Sequence, residues 1–484
     1  MTTARDSPRR PRRGTEAKGS SREWPAARSG PPRALEARKV PGAVRSILAR
    51  LGAAGHRSWL VGGVVRDLLL GRERHDPHEF DVATPATPQE VERLFRRVIP
   101  TGVEHGTVTV LEGAARVEVT TFRGEGAYVD GRRPSSVTFH TDLEADLSRR
   151  DFTINALAWD PISGEFRDLF GGLADLRRGI VRAVGEPDLR FGEDGLRPLR
   201  AARFVAQLGF RLDRRTKAAV RPALPVVAQV SRERVAEELA RLVSGGHAAS
   251  GIRLLAETGL LSVAVPALVS VDPDLVRHAV AVACEPFEPA ASGRARAREA
   301  HRRERLCLLR LAALLHVLPA ADGLQAIVAL RLSNRLANSV AALVAARPCP
   351  AGWATPLPEA RADVRGWLAS LGPTRAADVL DLWAADARHQ GRASRRRTSE
   401  VRAFRRRVAA ELRSRPPLAT ADLALDGRGV MDILGIDGGR EVGEALRHLL
   451  HVVLEDPARN HPAGLETALR AWWSARPAPR GSVP

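Results

Sequence analysis

Apolar positions change their pattern along the chain. From Val44 to about Val184 they come in short runs separated by turn-forming residues: Trp59-Leu60-Val61, the stretch from Thr107 to Leu111, and the stretch from Arg116 to Phe122. In the last of these, Val117, Val119 and Thr121 alternate with Glu118 and Thr120, the two-residue period of a strand with one buried face. Short strands mixed with helical stretches predict an α/β or α+β domain. Beyond Asp188 the pattern becomes helix after helix, rich in Ala, Leu and Arg and broken by Gly245-Gly246 and by Pro266, Pro273, Pro286 and Pro289. An all-helical region therefore follows the mixed one. Segments 286–304 and 387–407 are charged and poor in apolar residues. The first predicts a linker, the second a linker running into a basic helix that carries Arg395-Arg396-Arg397 and Arg405-Arg406-Arg407. No internal repeat is present.

Composition narrows the class. With 484 residues, 44% of them hydrophobic and 27% charged, the chain can bury several cores, which excludes a disordered polymer and a lone small binding module. No apolar run is long enough to span a bilayer and the Arg- and Pro-rich start lacks an apolar export segment, so a membrane or secreted protein is not expected. Cys284, Cys307 and Cys349 are odd in number and lack metal-ligand spacing, which argues against a disulfide scaffold or a zinc site and for a reducing cytoplasm. The net charge of +19 is carried almost wholly by arginine, since Lys18, Lys39 and Lys217 are the only lysines. Such a chain attracts phosphate polyanions, of which nucleic acid is the commonest, although a solvated basic surface reads the same way. Residues 1–44, with Arg9, Arg10, Arg12 and Arg13, predict a disordered basic tail.

Three places carry candidate chemistry. At Trp59-Leu60-Val61-Gly62-Gly63-Val64-Val65-Arg66 a strand ends in two glycines and a helix begins, a turn that lets backbone N–H groups approach an anion and that is equally a plain structural turn. At Glu79-Phe80-Asp81 the carboxylates at i and i+2 of a strand project from one face, about 6.5–7 Å apart along the chain. Two acidic groups that close repel unless a cation lies between them, and Mg²⁺ is commonly held by one or two carboxylates plus substrate phosphates. A solvent-facing strand edge gives the same spacing. Glu118 either completes a carboxylate triad with Glu79 and Asp81 or is an ordinary polar-face residue.

Two further blocks follow: Arg149-Arg150-Asp151-Phe152-Thr153-Ile154-Asn155-Ala156-Leu157, and Glu193-Asp194-Gly195-Leu196-Arg197-Pro198-Leu199-Arg200-Ala201-Ala202-Arg203-Phe204. In this order and spacing, the blocks resemble the class II tRNA nucleotidyltransferase and bacterial poly(A) polymerase family, from about Arg45 through Leu261 and more weakly to the C-terminus. The resemblance implies an α+β fold: a nucleotidyltransferase (polymerase beta-like) mixed-sheet head at 45–180, then an all-helical neck at 181–260 that reads the base, a body at 261–400 and a tRNA-binding tail at 401–484. It also implies template-independent addition of nucleotides to an RNA 3′ end. Glu79 and Asp81 fall on the family's two metal-binding aspartates, with Mg²⁺ as the implied cofactor. Gly63 and Arg66 fall on contacts to triphosphate and ribose, and Arg150 on another nucleotide contact. Asp194 and Arg197 fall on the pair that reads the incoming base, followed by Arg200 and Arg203. The implied partners are tRNA, through its acceptor stem and 3′ end, and the substrates CTP and ATP, with no membrane or protein partner.

The Asp194/Arg197 assignment has a physical rationale if both lie on one helix, where i and i+3 are neighbours. Cytosine and adenine each present an amino donor beside a ring-nitrogen acceptor, so a carboxylate and a guanidinium side by side match both. Uracil and guanine reverse the pattern and leave buried polar groups unpaired. An intrahelical salt bridge gives the same spacing. Successive i+3 steps drift by about 60° around a helix, so Arg203 cannot face the same point as Asp194. Two departures from the family stand out: Glu79 replaces the first aspartate after a longer loop, and Gly195 stands where relatives have Pro or Ala, an expected loss of helix rigidity. Some relatives carry a metal-dependent His-Asp domain; here His316 is followed by Val317, so His316 is expected to be a plain helix residue and the other histidines to bind no metal. Addition of the 3′-terminal CCA to tRNA is the leading function. The segments His105 to Val110 and Val117 to Arg123, the loop Gly126 to Pro134 and the C-terminal run Gly443 to Leu450 followed by Glu455-Asp456-Pro457 favour it. Poly(A) or A-only addition, and a non-catalytic RNA-binding paralogue, stay open.

Overall fold

The computed structural model describes residues 32–36, 40–72, 80–103, 106–113, 115–125, 137–139, 142–287, 295–346 and 356–476. Glu79, the tail residues 1–31 and the loop 126–134 lie outside the described residues. The chain divides into two compact units, one of residues 1–125 and 137–177 and the other of 126–136 and 178–484.

In the first unit the strands are β1 (Trp59–Val61), β2 (Asp81–Thr84), β3 (Val98–Gly102), β4 (Thr107–Glu112), β5 (Ala115–Thr121), β6 (Arg123–Glu125), β7 (Val137–Phe139), β8 (Leu157–Trp159) and β9 (Phe166–Asp168). Seven of them form one sheet in the order β3-β4-β5-β2-β1-β8-β9, and β6 pairs with β7 apart from it. All neighbours in the large sheet are antiparallel except β2 and β5. A parallel pair needs a crossover. Here it runs through the helix Pro88–Leu94, which starts on a reciprocal Thr87–Glu90 cap, and then through β3 and β4. Leu60, Val82 and Val119 lie in register on one face and are fully buried. On the other face Trp59, Val61, Ala83 and Ala158 pack with Phe122 and Leu147. Order begins before the expected boundary at 45. Leu35, in a short helix over Arg33–Glu36, is fully buried, and Val44 and Ile47 of the helix Gly42–Ala53 join it in the core, because these apolar residues have a face to cover.

The second unit is helical apart from the two-residue parallel strands β10 (Ile180–Val181) and β11 (Arg211–Leu212). The helix Arg197–Leu208 packs on Arg232–Val243 and Ala248–Thr258, so closely that a Cβ on Gly251 would lie 2.7 Å from the Ala206 Cβ. The last three long helices close a core of their own around Val430, Leu449, Val453, Leu465 and Leu469. Two expected linkers are largely helix. Residues from Ala295 onward begin the helix Ala295–Leu315, since Ala, Arg and Glu are strong helix formers even where little is buried. The second linker shrinks to residues 389–393 between the helices Pro373–Arg388 and Ser394–Arg413.

Arginine does structural work that a net charge does not reveal. The last carbonyls of a helix lack intrahelical partners and carry the negative end of its dipole. Arg310 donates to the carbonyls of Val243 and Gly245, Arg232 to those of Val263 and Ala264, and Arg365 to those of Leu454 and Glu455, each at the end of a different helix. Arg365 also pairs with the buried Glu411 at 3.2 Å. Even in the basic helix, Arg405 donates to Asp381 and Arg407 to the Pro358 carbonyl. Arg365→Ala is therefore expected to destabilise the second unit by about 3–5 kcal/mol, the usual cost of stranding one partner of a buried pair. Arg406→Ala, at an exposed position of the basic helix, should stay within about 0.5 kcal/mol of wild type. Thermal melting of the two variants checks this, and equal midpoints would contradict it.

Candidate active site

The parallel register of β2 and β5 sets Asp81 directly opposite Glu118. Residues opposite each other on neighbouring strands share a face, with backbones about 4.8 Å apart. Both side chains are exposed, on the face that carries Ala83 two residues on. This is the third carboxylate position that the sequence left undecided: Glu118 stands beside Asp81. Oxygen donors converging on one open face of a rigid sheet suit a hard divalent cation.

The Gly-Gly turn lies on the next strand. Gly62 has φ +73° and ψ −132°, a conformation that side chains rarely adopt, and a Cβ there would lie 2.8 Å from Nη1 of Arg150. The turn and the Arg150 guanidinium are thus brought together. Asp146, at 1% exposure, fixes both arginines that open the Arg149–Leu157 block, accepting from Arg150 Nη2 at 2.9 Å and from Arg149 Nη2 at 2.5 Å. Burial alone would raise the Asp146 carboxyl; the charges and hydrogen bonds of Arg150 and Arg149 outweigh it and hold the group below its usual range. Arg66 is buried beside Gly63 and donates to both Asp67 oxygens, at 2.9 and 3.0 Å, and to Asn155 Oδ1 at 2.7 Å. Asn155 is held in turn by Asp151 at 2.9 Å, and Thr153 donates to Asp175. Sequence reasoning quoted this block for Arg150 and passed over Asp67, Asp146, Asp151 and Asn155; the signal was the density of polar residues in an otherwise buried stretch.

In the second unit the expected pair does not share one helix. The helix Pro187–Glu193 stops before Asp194, which is extended (φ −141°, ψ 107°), and the next helix starts at Arg197. Asp194 and Arg197 instead end a tight turn closed by the Arg197 N–H donating to the Asp194 carbonyl at 3.0 Å. Two features break the helix: the Asp194 carboxylate accepts from the Leu196 N–H, and Pro198 occupies the first turn of the new helix. Gly195 serves close approach and not rigidity, for a Cβ there would lie 2.5 Å from the Val226 carbonyl oxygen. The alternative Asp194–Arg197 salt bridge is replaced by other pairs. Arg197, buried, donates to Glu193 and to the Arg190 carbonyl, while Asp194 faces Arg234 at 3.4 Å. Arg203 is buried against Glu238 and Gln207, and Arg200 Nη1 lies 3.8 Å from the same Glu238.

His316 also departs from expectation. It follows the helix Ala295–Leu315 and meets His278 and Asp386, brought from distant parts of the sequence where no spacing could reveal them.

Residues 58–182 match a family profile described as the Poly A polymerase head domain, and residues 209–271 one described as a probable RNA and SrmB-binding site of polymerase A. The first unit is thus a nucleotidyltransferase head. The chain is 37% identical over 417 residues to the CCA-adding enzyme of Geobacillus thermodenitrificans, covering 86% of this chain and 93% of that one. It is 47% identical over 214 residues to the CCA-adding enzyme of Lactobacillus helveticus, covering 44% of this chain and 53% of that one. Its fold matches the crystal structure of the Bacillus stearothermophilus CCA-adding enzyme in complex with CTP, with a TM-score of 0.67 and 34% identity over 90% of this chain and 98% of that one. On this likeness along nearly its whole length, the chain belongs to the family of CCA-adding enzymes.

The Arg66 network generates a prediction. Asn155→Ala removes one charge-assisted hydrogen bond but leaves the Asp67 pair, so KM for CTP and ATP should rise about tenfold, within the usual worth of such a bond. The melting temperature should change little. Steady-state kinetics with each nucleotide measures this, and an unchanged KM would separate Arg66 from nucleotide binding.

Proposed function

We propose that this chain completes tRNA 3′ ends in the cytoplasm by adding CCA one nucleotide at a time from CTP and ATP, releasing pyrophosphate. The observation that carries the reading is the likeness to a CCA-adding enzyme across 86% of this chain and 93% of that relative, with the acidic face and the arginine-lined glycine turn set in one sheet. Among the described residues no helix is long and apolar enough to cross a membrane.

In this reading Asp81 and Glu118, together with Glu79, hold the divalent metal, Mg²⁺, through oxygen ligands. When bound, the ion neutralises charge on the triphosphate and favours the alkoxide form of the RNA 3′-hydroxyl. The chain's own residues do the rest. The Gly62-Gly63 turn admits the triphosphate without a Cβ in the way, and Arg150, aimed by Asp146, offers positive charge to the departing pyrophosphate. Arg66, held by Asp67 and Asn155, fixes the sugar. The 3′-hydroxyl attacks the α-phosphorus in line and the bond to the pyrophosphate oxygen breaks. Asp194 and Arg197 select C and A by accepting from the amino group and donating to the ring nitrogen, from positions set by a turn. Arg200 and Arg203, which both face Glu238, are the further nucleotide contacts of this helix.

The test is extension of tRNA lacking CCA, and of an unrelated RNA, with each nucleotide alone and with CTP plus ATP, followed by sequencing of the ends. Addition should halt after CCA on tRNA and be weak on the other RNA; A-tracts on either substrate would identify a tailing enzyme instead. Asp194→Ala and Arg197→Ala should each lower the rate and also let UTP and GTP compete. Wild-type selectivity in both variants would remove the pair from base reading.

A further inference from the structure

The acidic face of the sheet has a basic margin. Residues directly opposite each other on neighbouring strands share a face. One row across the sheet sets Thr109 of β4 and Glu118 of β5 beside Asp81 of β2. The adjoining row, on the same face because side chains repeat every two residues, holds Arg116 of β5 and Leu111 of β4. The ladder carries this row one strand further. The Leu111 N–H donates to the Arg97 carbonyl at 2.9 Å, and the register that pairs Val98 with Val110 sets Arg97 opposite Leu111. Arg97 and Arg116 are both exposed. Their backbones are two strand spacings apart, roughly 9.6 Å, with the half-buried Leu111 between them. Ile99, 37% exposed and opposite Thr109, extends the apolar strip along β3. Glu112, next to Leu111 in sequence, alternates to the other face, where it accepts from the Ser46 hydroxyl at 3.0 Å, and so leaves the basic row its charge.

The position of this row relative to the glycine turn decides what it meets. β2 lies between β1 and β5, so the Gly62-Gly63 turn is on one flank of Asp81 and Arg116 on the other. In-line transfer puts the attacking and leaving oxygens on opposite sides of the α-phosphorus. With the triphosphate at the glycine turn and Arg150, the pyrophosphate leaves on the β1 flank and the RNA 3′-hydroxyl arrives from the β5 flank. A single-stranded RNA end carries one negative charge per nucleotide together with apolar sugar and base surface, and guanidinium groups interleaved with aliphatic side chains match both. Exposed charge on an edge strand such as β3 also discourages pairing with other chains, which would account for Arg97. It does not account for Arg116, on a strand paired on both sides.

We propose that Arg97 and Arg116 hold the phosphates next to the 3′-terminal nucleotide of the RNA, with Leu111 and Ile99 against its sugar, so that the catalytic unit itself positions the attacking hydroxyl. This rests on the reading of Asp81 and the glycine turn given above. The two guanidinium groups also relieve the repulsion that a polyanion would meet on approaching the Asp81–Glu118 face.

The experiment uses the full chain and an RNA hairpin made of the tRNA acceptor and T stems, ending one A short, with ordinary linkages or with one neutral methylphosphonate at the last or the preceding linkage. In wild type a neutral linkage should raise KM for the RNA about 10- to 100-fold, the worth of a charge-assisted hydrogen bond, and leave KM for ATP within about twofold. Arg97→Ala/Arg116→Ala should show the same rise with ordinary RNA, no further rise with the neutral linkage, and an unchanged melting temperature. Arg97→Lys/Arg116→Lys, which keeps the charge, should recover most of the loss. Equilibrium binding of the same RNAs without nucleotide should follow the same pattern. An unchanged KM for RNA in the double Ala variant, or an equal methylphosphonate penalty in that variant and in wild type, would overturn the proposal; a raised KM for ATP alone would move the pair to the triphosphate. Failure to complete CCA would refute the function proposed above, whereas the binding measurements still read this site, so the two failures are told apart.

Discussion

The pairing of β2 with β5 is the constraint on which the catalytic unit depends. It is the parallel junction in an otherwise antiparallel sheet, and its register puts Asp81 beside Glu118. The two carboxylates repel, so the arrangement needs its core. Leu60, Val82 and Val119 are buried in register on one side, and a one-residue slip would turn every one of them to the opposite face. Hydrophobic burial thus fixes the acidic pair in a geometry that electrostatics alone would disfavour, and an acidic face of this kind suits a divalent cation. The β1 strand carries the same logic to the glycine turn, whose positive φ and missing Cβ make room for Arg150.

Arginine has two roles in this chain. A charge of +19 suggests a surface made for polyanions. Yet Arg310, Arg232 and Arg365 end on the terminal carbonyls of helices, Arg203 is shared between Glu238 and Gln207, and Arg305 spans Asp378 and Asp381. A guanidinium keeps its charge when buried and offers five donors in a plane, which is why it can close a helix end and an ion pair at once. The number of guanidinium groups presented to nucleic acid is therefore smaller than the number of arginines in the sequence.

The strand alternation at Val117 to Thr121, the Trp59–Val61 run and the five ordered motifs were enough to place the mixed unit and the helical unit that follows it. Periodicity could not show that β2 and β5 are neighbours, because that pairing is set by a crossover. Asp194 was misplaced because the i+3 spacing to Arg197 fits a helix and a hydrogen-bonded turn alike; Pro198 and the capping habit of Asp decided for the turn. The helical stretch from Ala295 read as a linker because its charged residues bury little, although Ala, Arg and Glu favour helix on their own. The His278–His316–Asp386 cluster was missed because the His-Asp signature at His316 is broken by Val317 and its two partners come from separate segments.

The central claim is that the Asp81–Glu118 face performs the chemistry. The most direct measurement is Mg²⁺- and Mn²⁺-dependent nucleotide addition by Asp81→Ala and Glu118→Ala, with tRNA binding measured on the same preparations. The account predicts that Asp81→Ala loses turnover at every metal concentration and Glu118→Ala loses most of it, while both still bind tRNA and melt like wild type. Undiminished metal-dependent turnover in Asp81→Ala would contradict it.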